Sequence, residues 1–287
     1  MIDLACSVSL VLIVCLLGAA YGVRVLASGA ASYDRVKREK GSVLFGPGAM
    51  QMGYWGLEPF GRALAALGVS PNAISLASLA LGFAAAVAVA LGHFGMASAL
   101  AVFCSLCDTL DGMVARLTKT SSDAGEVLDA AVDRYVEFAF LGGLAFYHHA
   151  DLPWLGVALA AILGSFMVSY ATAKAEALHV EAPRGAMRRL ERAVYLTVGA
   201  GLCPFTATWA ARGGPSWVSE APLLAAVTLV AVVGNVSAVR RLSSVARSVR
   251  ARDAERAAPK KGVDPPTLKL ESSPPLAPRP AERAGGA

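Results

Sequence analysis

The sequence predicts an all-α, polytopic membrane protein: a six-helix transmembrane core preceded by one N-terminal transmembrane anchor. Three observations carry that reading. Of 287 residues, 55% are hydrophobic and only 16% charged, and the mean hydropathy is +0.54, beyond what a soluble globule of this length normally shows. The apolar residues fall in runs that can each cross a bilayer, which takes roughly 20 residues of helix. The Lys and Arg residues gather in alternate connections between those runs, as the positive-inside rule requires. The same distribution explains the net charge of +5 without nucleic acid, which is excluded as a partner, and points instead to anionic membrane lipids.

The first run, about Leu4 to Ala27, reads as the anchor (domain 1–30), because no basic segment precedes it as in a signal peptide. Arg35, Lys37, Arg38 and Lys40 follow it, so the N-terminus is expected outside and the linker in the cytoplasm. In 31–69 the linker leads into YWGLEPFGRALAALG, where Tyr54, Trp55 and Phe60 alternate with Glu58 and Arg62. That pattern suits a helix lying in the headgroup region or an amphipathic helix on the cytoplasmic side. Ser70-Pro71-Asn72 opens the first core helix, with Ser70 as N-cap and Pro71 at the first helical position.

The core domain, 70–241, continues with spans near Gly95–Arg116, Glu126–Tyr147, Pro153–Leu178, Leu190–Ala211 and Pro222–Arg240. The outer turns at His93, His148-His149 and Arg212–Ser216 are poor in Lys and Arg. The inner ones carry Arg116 and Lys119, then Lys174, Arg184, Arg188, Arg189 and Arg192, then the arginines from Arg240 onward. The C-terminus is therefore cytoplasmic. Residues 242–287, with Pro265-Pro266, Pro274-Pro275, Pro278 and Pro280 near the end, read as a disordered basic tail. Cys6, Cys15, Cys104, Cys107 and Cys203 all lie in apolar segments, and the CxxC of Cys104 and Cys107 has no second pair to complete a zinc site, so they read as packing residues.

One stretch concentrates the chemistry. Asp108 and Asp111 are spaced i, i+3, and Asp129 and Asp133 i, i+4, so on two helices each pair shares a face and all four carboxylates can converge. Four carboxylates at membrane depth need a cation, and hard oxygen ligands suit Mg²⁺, Mn²⁺ or Ca²⁺. Gly112 and Gly125 lack side chains, which lets a bulky polar ligand approach, and Arg116 can meet a phosphate bidentately. On these residues alone, salt bridges with Arg116, Lys119 and Arg134, or an ion pathway as in a transporter, compete with the catalytic reading.

The order Asp, two residues, Asp-Gly, two residues, Ala-Arg, eight residues, Gly, three residues, Asp, three residues, Asp is filled at every position from Asp108 to Asp133. It resembles the signature of the CDP-alcohol phosphotransferase family. The resemblance covers roughly Ser70 to Arg240 and leaves out the anchor, linker and tail. It implies a transferase that moves a phosphatidyl group from CDP-diacylglycerol to an alcohol, releases CMP, and uses two Mg²⁺ or Mn²⁺ ions. It further implies that Asp108, Asp111, Asp129 and Asp133 hold the metals and that Asp133 also acts as general base. Asn72, Asp111, Gly112, Ala115, Arg116 and Gly125 would accommodate the CDP moiety. Homodimers are usual in the family.

Between the fourth and fifth core helices, Lys174, Arg184, Arg188, Arg189 and Arg192 form a basic cluster that can hold a phosphorylated acceptor or simply mark the loop as cytoplasmic. Ser169-Tyr170, the Ala-Lys-Ala-Glu after them, and Gly185, Met187, Arg189, Glu191 and Arg192 are similar to the branch of the family that uses inositol phosphate. The chain departs from that branch at Thr172, where a basic residue is common. The acceptor expected from this is inositol phosphate, bound by Lys174, Arg189 and Arg192, with glycerol 3-phosphate or another alcohol as alternatives.

Overall fold

A computed structural model describes residues 1–33, 36, 46–180 and 186–257. Among these residues the chain is helical throughout: α1 (Ile2–Ser28), α2 (Pro47–Ala66), α3 (Pro71–Ala90), α4 (Phe94–Leu117), α5 (Asp123–Tyr147), α6 (Leu152–Ala177), α7 (Arg189–Ala210), a short 3₁₀ turn (Ser216–Ser219) and α8 (Ala221–Ala257). Six of the α-helices, α1, α3, α4, α6, α7 and α8, are long and apolar enough to cross a membrane. The expected span α5 falls outside that test because Asp133, Arg134 and Glu137 stand in its middle, one turn after Asp129, while Phe140, Leu141 and Leu144 beyond them are buried in the core. Exposed apolar side chains such as Leu12, Phe83, Phe103, Leu163 and Val232 give the helices lipid-compatible outer faces.

The helix starts follow the sequence. Ser70 Oγ accepts from Ala73 N at 3.3 Å, Ser122 Oγ from Gly125 N at 3.1 Å, and Asp151 Oδ1 from Trp154 N at 3.4 Å, each satisfying an otherwise orphaned first-turn N–H. His93 stands at the N-cap of α4, and its own side chain caps nothing. Its cap comes from α1 instead: Asp3 Oδ1 accepts from Met96 N at 3.1 Å, and Asp3 Oδ2 lies 3.0 Å from His93 Nδ1.

Within Met1–Val249, α3 packs along both α4 and α5, and α4 along α7. The α3–α5 crossing is close because glycines stand in it. A Cβ on Gly82 would come 2.6 Å from Val136 Cγ2, and one on Gly143 would run into the Ala86 carbonyl. Side-chain bonds to backbone carbonyls hold further crossings, Ser98 Oγ donating to Thr197 O at 2.9 Å and Asn235 Nδ2 to Ala160 O at 2.8 Å. The helices brought together this way carry the acidic residues toward one end of the bundle and leave His93 and His148 at the other.

α1 and α2 are integrated with this core. Leu17 sits over Gly56, Tyr21 and Trp55 pack at 5.5 Å between ring centroids, and Gly61 of α2 faces the Met113 side chain of α4. Tyr33 donates to Glu58 at 2.7 Å, and burial together with that carboxylate pushes its phenol up to about 12.

The C-terminal boundary differs from expectation. α8 runs to Ala257, so residues 242–257, read as the start of a disordered tail, are helical. Their Ala, Arg, Ser and Val residues contain no proline, and the first one, Pro259, lies just beyond. Arg250–Ala287 separate as a second unit, of which 250–257 are described. The expected tail from 258 onward, the basic linker residues Arg35, Lys37, Arg38 and Lys40, and Arg184 and Gly185 of the inner loop lie outside the described residues.

Candidate active site and metal centre

Three of the four motif aspartates come together on these helices. Asp108 on α4 and Asp129 and Asp133 on α5 each offer one carboxylate oxygen, all within 4.8 Å of one another. All three residues are half-buried. Asp133 Oδ1 is buried and accepts no hydrogen bond; the Arg189 guanidinium meets it as an ion pair. Three converging carboxylates with spare lone pairs fit a hard divalent cation such as Mg²⁺ or Mn²⁺.

Asp111 lies outside that group, against the expectation that all four converge. It is buried at 6% exposure, and Ser75 Oγ on α3 donates to its Oδ2 at 2.5 Å. The physical reason is the neighbouring helix: the face of α4 that carries Asp111 is covered by α3, where Ser75 provides a donor at close range.

Arg189 opens α7 and reaches into the carboxylate cluster. Its Nη1 lies 3.3 Å from both oxygens of Asp108, its Nη2 3.3 Å from Oδ1, and the same guanidinium pairs with Asp133. A cavity lined by Cys104, Asp133, Glu137, Phe140, Arg189 and Leu196 adjoins this pair and extends into the bundle.

The other basic residues expected at an acceptor site have different surroundings. Arg192 is 1% exposed, and its donors go to Glu137 (Nε to Oε1 2.5 Å, Nη2 to Oε2 2.7 Å) and to Met187 O (Nη1, 2.6 Å). Lys174 stands exposed on the last turn of α6. At Thr172, the position lacking the branch's usual basic residue, a cation arrives from elsewhere: Arg241 Nη1 of α8 donates to Thr172 Oγ1 at 3.1 Å, with Nη2 3.4 Å from Ala186 O.

Of the residues expected to take the CDP moiety, Asn72 and Arg116 are exposed at the start of α3 and the end of α4, two helices packed on each other. Gly112 and Ala115 are half-buried on the α4 turns between Asp111 and Arg116. Gly125 is half-buried, and its N–H is taken by the Ser122 cap.

Sequence reasoning missed Ser75, Glu137 and Arg241. Glu137 was open to discovery, being one helical turn beyond Asp133 on the same face. Ser75 carried only a faint signal, a hydroxyl in an apolar run one turn after Pro71, and Arg241 none beyond its charge.

A bundle of membrane-type helices with three carboxylates converging at one end, and an arginine beside them, is the arrangement of a membrane-embedded site for a divalent cation. The profile of the CDP-alcohol phosphatidyltransferase family matches residues 68–233, more than half of the chain, and the chain belongs to that family. The match begins and ends close to the core expected from the motif and leaves α1 and α2 outside. The phosphatidylinositol phosphate synthase of Mycobacterium tuberculosis (strain ATCC 25618 / H37Rv) is 32% identical over 196 residues, which cover 65% of this chain and 84% of the relative. A crystal structure of the M. tuberculosis synthase with CDP-DAG bound aligns with TM-score 0.57 and 28% identity, over 65% of this chain and 92% of the other. Another, in complex with manganese and citrate, aligns with TM-score 0.57 and 27% identity, over 65% and 87%.

Proposed function

We propose that this chain transfers the phosphatidyl group of CDP-diacylglycerol to inositol phosphate and releases CMP. The observation that carries the reading is the convergence of Asp108, Asp129 and Asp133 with Arg189 among them. The names and ligands of the M. tuberculosis relatives support the donor and acceptor.

Asp108, Asp129 and Asp133, with Asp111 beside them, hold two Mg²⁺ or Mn²⁺ ions in this reading. When bound, the ions supply positive charge against the pyrophosphate of the donor. Asn72, Asp111, Gly112, Ala115, Arg116 and Gly125 take the CDP moiety between the ends of α3, α4 and α5. Asp133 draws the proton from the acceptor hydroxyl. The acceptor oxygen bonds to the lipid-side phosphorus as the bond from that phosphorus to CMP breaks. Arg189 and the exposed Lys174 attract the acceptor phosphate, and Arg241 provides at Thr172 the charge that a basic side chain there would otherwise bring. Arg192 contributes by holding the start of α7, its donors being committed to Glu137 and Met187.

The charge of the loops supports an N-terminus outside and an aspartate end of the bundle toward the cytoplasm, and the resemblance to the family supports a homodimer as the working assembly. Purified protein given CDP-diacylglycerol, Mg²⁺ or Mn²⁺ and a panel of alcohols tests the activity by CMP release. Inositol phosphate should give the fastest release. Faster release with glycerol 3-phosphate or an unphosphorylated alcohol overturns the acceptor assignment, and no release with any acceptor returns the aspartates to an ion pathway.

A further inference from the structure

Asp111 shares the motif with Asp108 but not its surroundings. Ser75 and Asp111 are 5% and 6% exposed, and the 2.5 Å bond between Ser75 Oγ and Asp111 Oδ2 joins α3 to α4 well inside the bundle. Ser75 Oγ has Pro71 O as a second acceptor at 3.2 Å, and the shorter bond goes to Asp111; Ser78 Oγ donates to the Ser75 carbonyl at 2.7 Å. A carboxylate with one oxygen tied to a buried hydroxyl cannot rotate freely, and its other oxygen, here Oδ1, is left as the freer ligand atom.

We propose that Ser75 is a positioning residue of the metal centre, fixing the Asp111 carboxylate so that it presents Oδ1 alone to a divalent cation. Asp108, Asp129 and Asp133 then form one ligand group, and Asp111 adds a single oxygen whose direction is set from α3. Because Ser75 lies four residues after Pro71 on the same helix, its bond to Asp111 ties the metal ligand to the end of α3 that starts with Ser70-Pro71-Asn72. Partners that orient metal ligands in this way commonly change metal affinity ten- to a hundred-fold when removed. The inference rests on the metal-centre reading given above.

The test is Mn²⁺ titration of the purified, substrate-free protein, followed by the electron paramagnetic resonance signal of the free ion. Ser75→Ala should bind Mn²⁺ about tenfold more weakly than wild type. Ser75→Thr keeps the hydroxyl and should bind as wild type does, whereas Ser75→Val, nearly the same shape as Thr, should match Ser75→Ala. That Thr and Val pair keeps the test decisive if the alanine variant folds poorly. On an Asp111→Asn background Ser75→Ala should cause no additional loss, since the two changes remove one function. A serine that only packs α3 against α4 predicts the reverse: Mn²⁺ affinity unchanged by Ser75→Ala, or losses that add in the double variant, and either result overturns the proposal. Wild-type protein that binds no Mn²⁺ overturns the metal-centre reading, and this inference with it.

Discussion

Arg192 and Glu137 form a two-point ion pair, 2.5 and 2.7 Å long, in which the arginine is almost fully enclosed between α5 and α7. Glu137 is one turn beyond Asp133, and Arg192 one turn beyond Arg189, so this pair lies directly behind the pair that enters the carboxylate cluster. Removing one partner of such a pair leaves a buried charge uncompensated, at a cost of about 3–5 kcal/mol. Glu137→Ala should therefore lower the melting temperature of the detergent-solubilised protein sharply, and Arg192→Gln should do the same. A clean rise in acceptor KM with unchanged melting in Arg192→Gln would show instead that this arginine serves the ligand directly.

Asp133→Asn should leave the protein folded and nearly inactive. The amide takes no proton from the acceptor hydroxyl, a contribution of roughly 10²- to 10⁴-fold in rate. CMP release at saturating metal and donor, with melting temperature as control, measures it. Full activity in the variant would move the general base elsewhere.

Arg189 touches both Asp108 and Asp133 and so competes for the same negative charge as a cation. In Arg189→Gln two quantities should move in opposite directions. The KM for inositol phosphate should rise about ten- to a hundred-fold as a charge-assisted contact is lost. The Mn²⁺ concentration giving half-maximal activity should fall. A variant in which neither changes would leave Arg189 as a marker of topology alone.

At the opposite end of the bundle, His148 is 8% exposed and its Nε2 lies 3.7 Å from Glu220 Oε2. Burial holds its imidazole below the usual value, against the opposing pull of Glu220 and Asp151. The unfolded chain then binds the proton more readily than the folded one. Stability is accordingly full above a pH of about 6.5 and is lost as pH falls below it. Thermal melting between pH 7.5 and 5.5 should fall for wild type and fall less steeply for His148→Gln. An equal slope in both would assign the acid sensitivity to other groups.

Asp3→Ala removes the cap of α4 and the partner of His93, a loss of about 0.5–2 kcal/mol for a helix cap. Melting should drop modestly, while the donor KM should hold, since Asp108 and Asp111 lie at the far end of the same helix. A variant indistinguishable from wild type in melting would make the contact dispensable.

Local periodicity made the helices and the acidic motif legible. Carboxylates at i, i+4 share a face wherever the helix forms, so Asp129 and Asp133 could be paired from spacing, whereas the meeting of Asp108 with them, and the turn of Asp111 toward Ser75, depend on how α3, α4 and α5 pack. Ser75, Glu137 and Arg241 matter because of which helix lies across from which, and no single-helix pattern encodes that. The basic loop shows the limit well. Arg189 and Arg192 are both arginines at the start of one helix, yet one meets Asp108 and Asp133 and the other Glu137, a distinction set by one turn of rotation against α5. The reach of α8 past residue 241 was hidden differently, by the prolines further on, which coloured the composition of the whole C-terminal stretch.

The bond between Asp3 and His93 spans ninety residues of sequence, and that separation bears on how the protein is made. α1 leaves the ribosome long before the segment it docks on exists. Its apolar faces must wait in lipid until α4 has been synthesised and inserted, and only then can Asp3 find the amide of Met96. α1 is thus locked into place by a helix that enters the bilayer after it, so completion of this crossing would be a post-insertion event in the biogenesis of the enzyme.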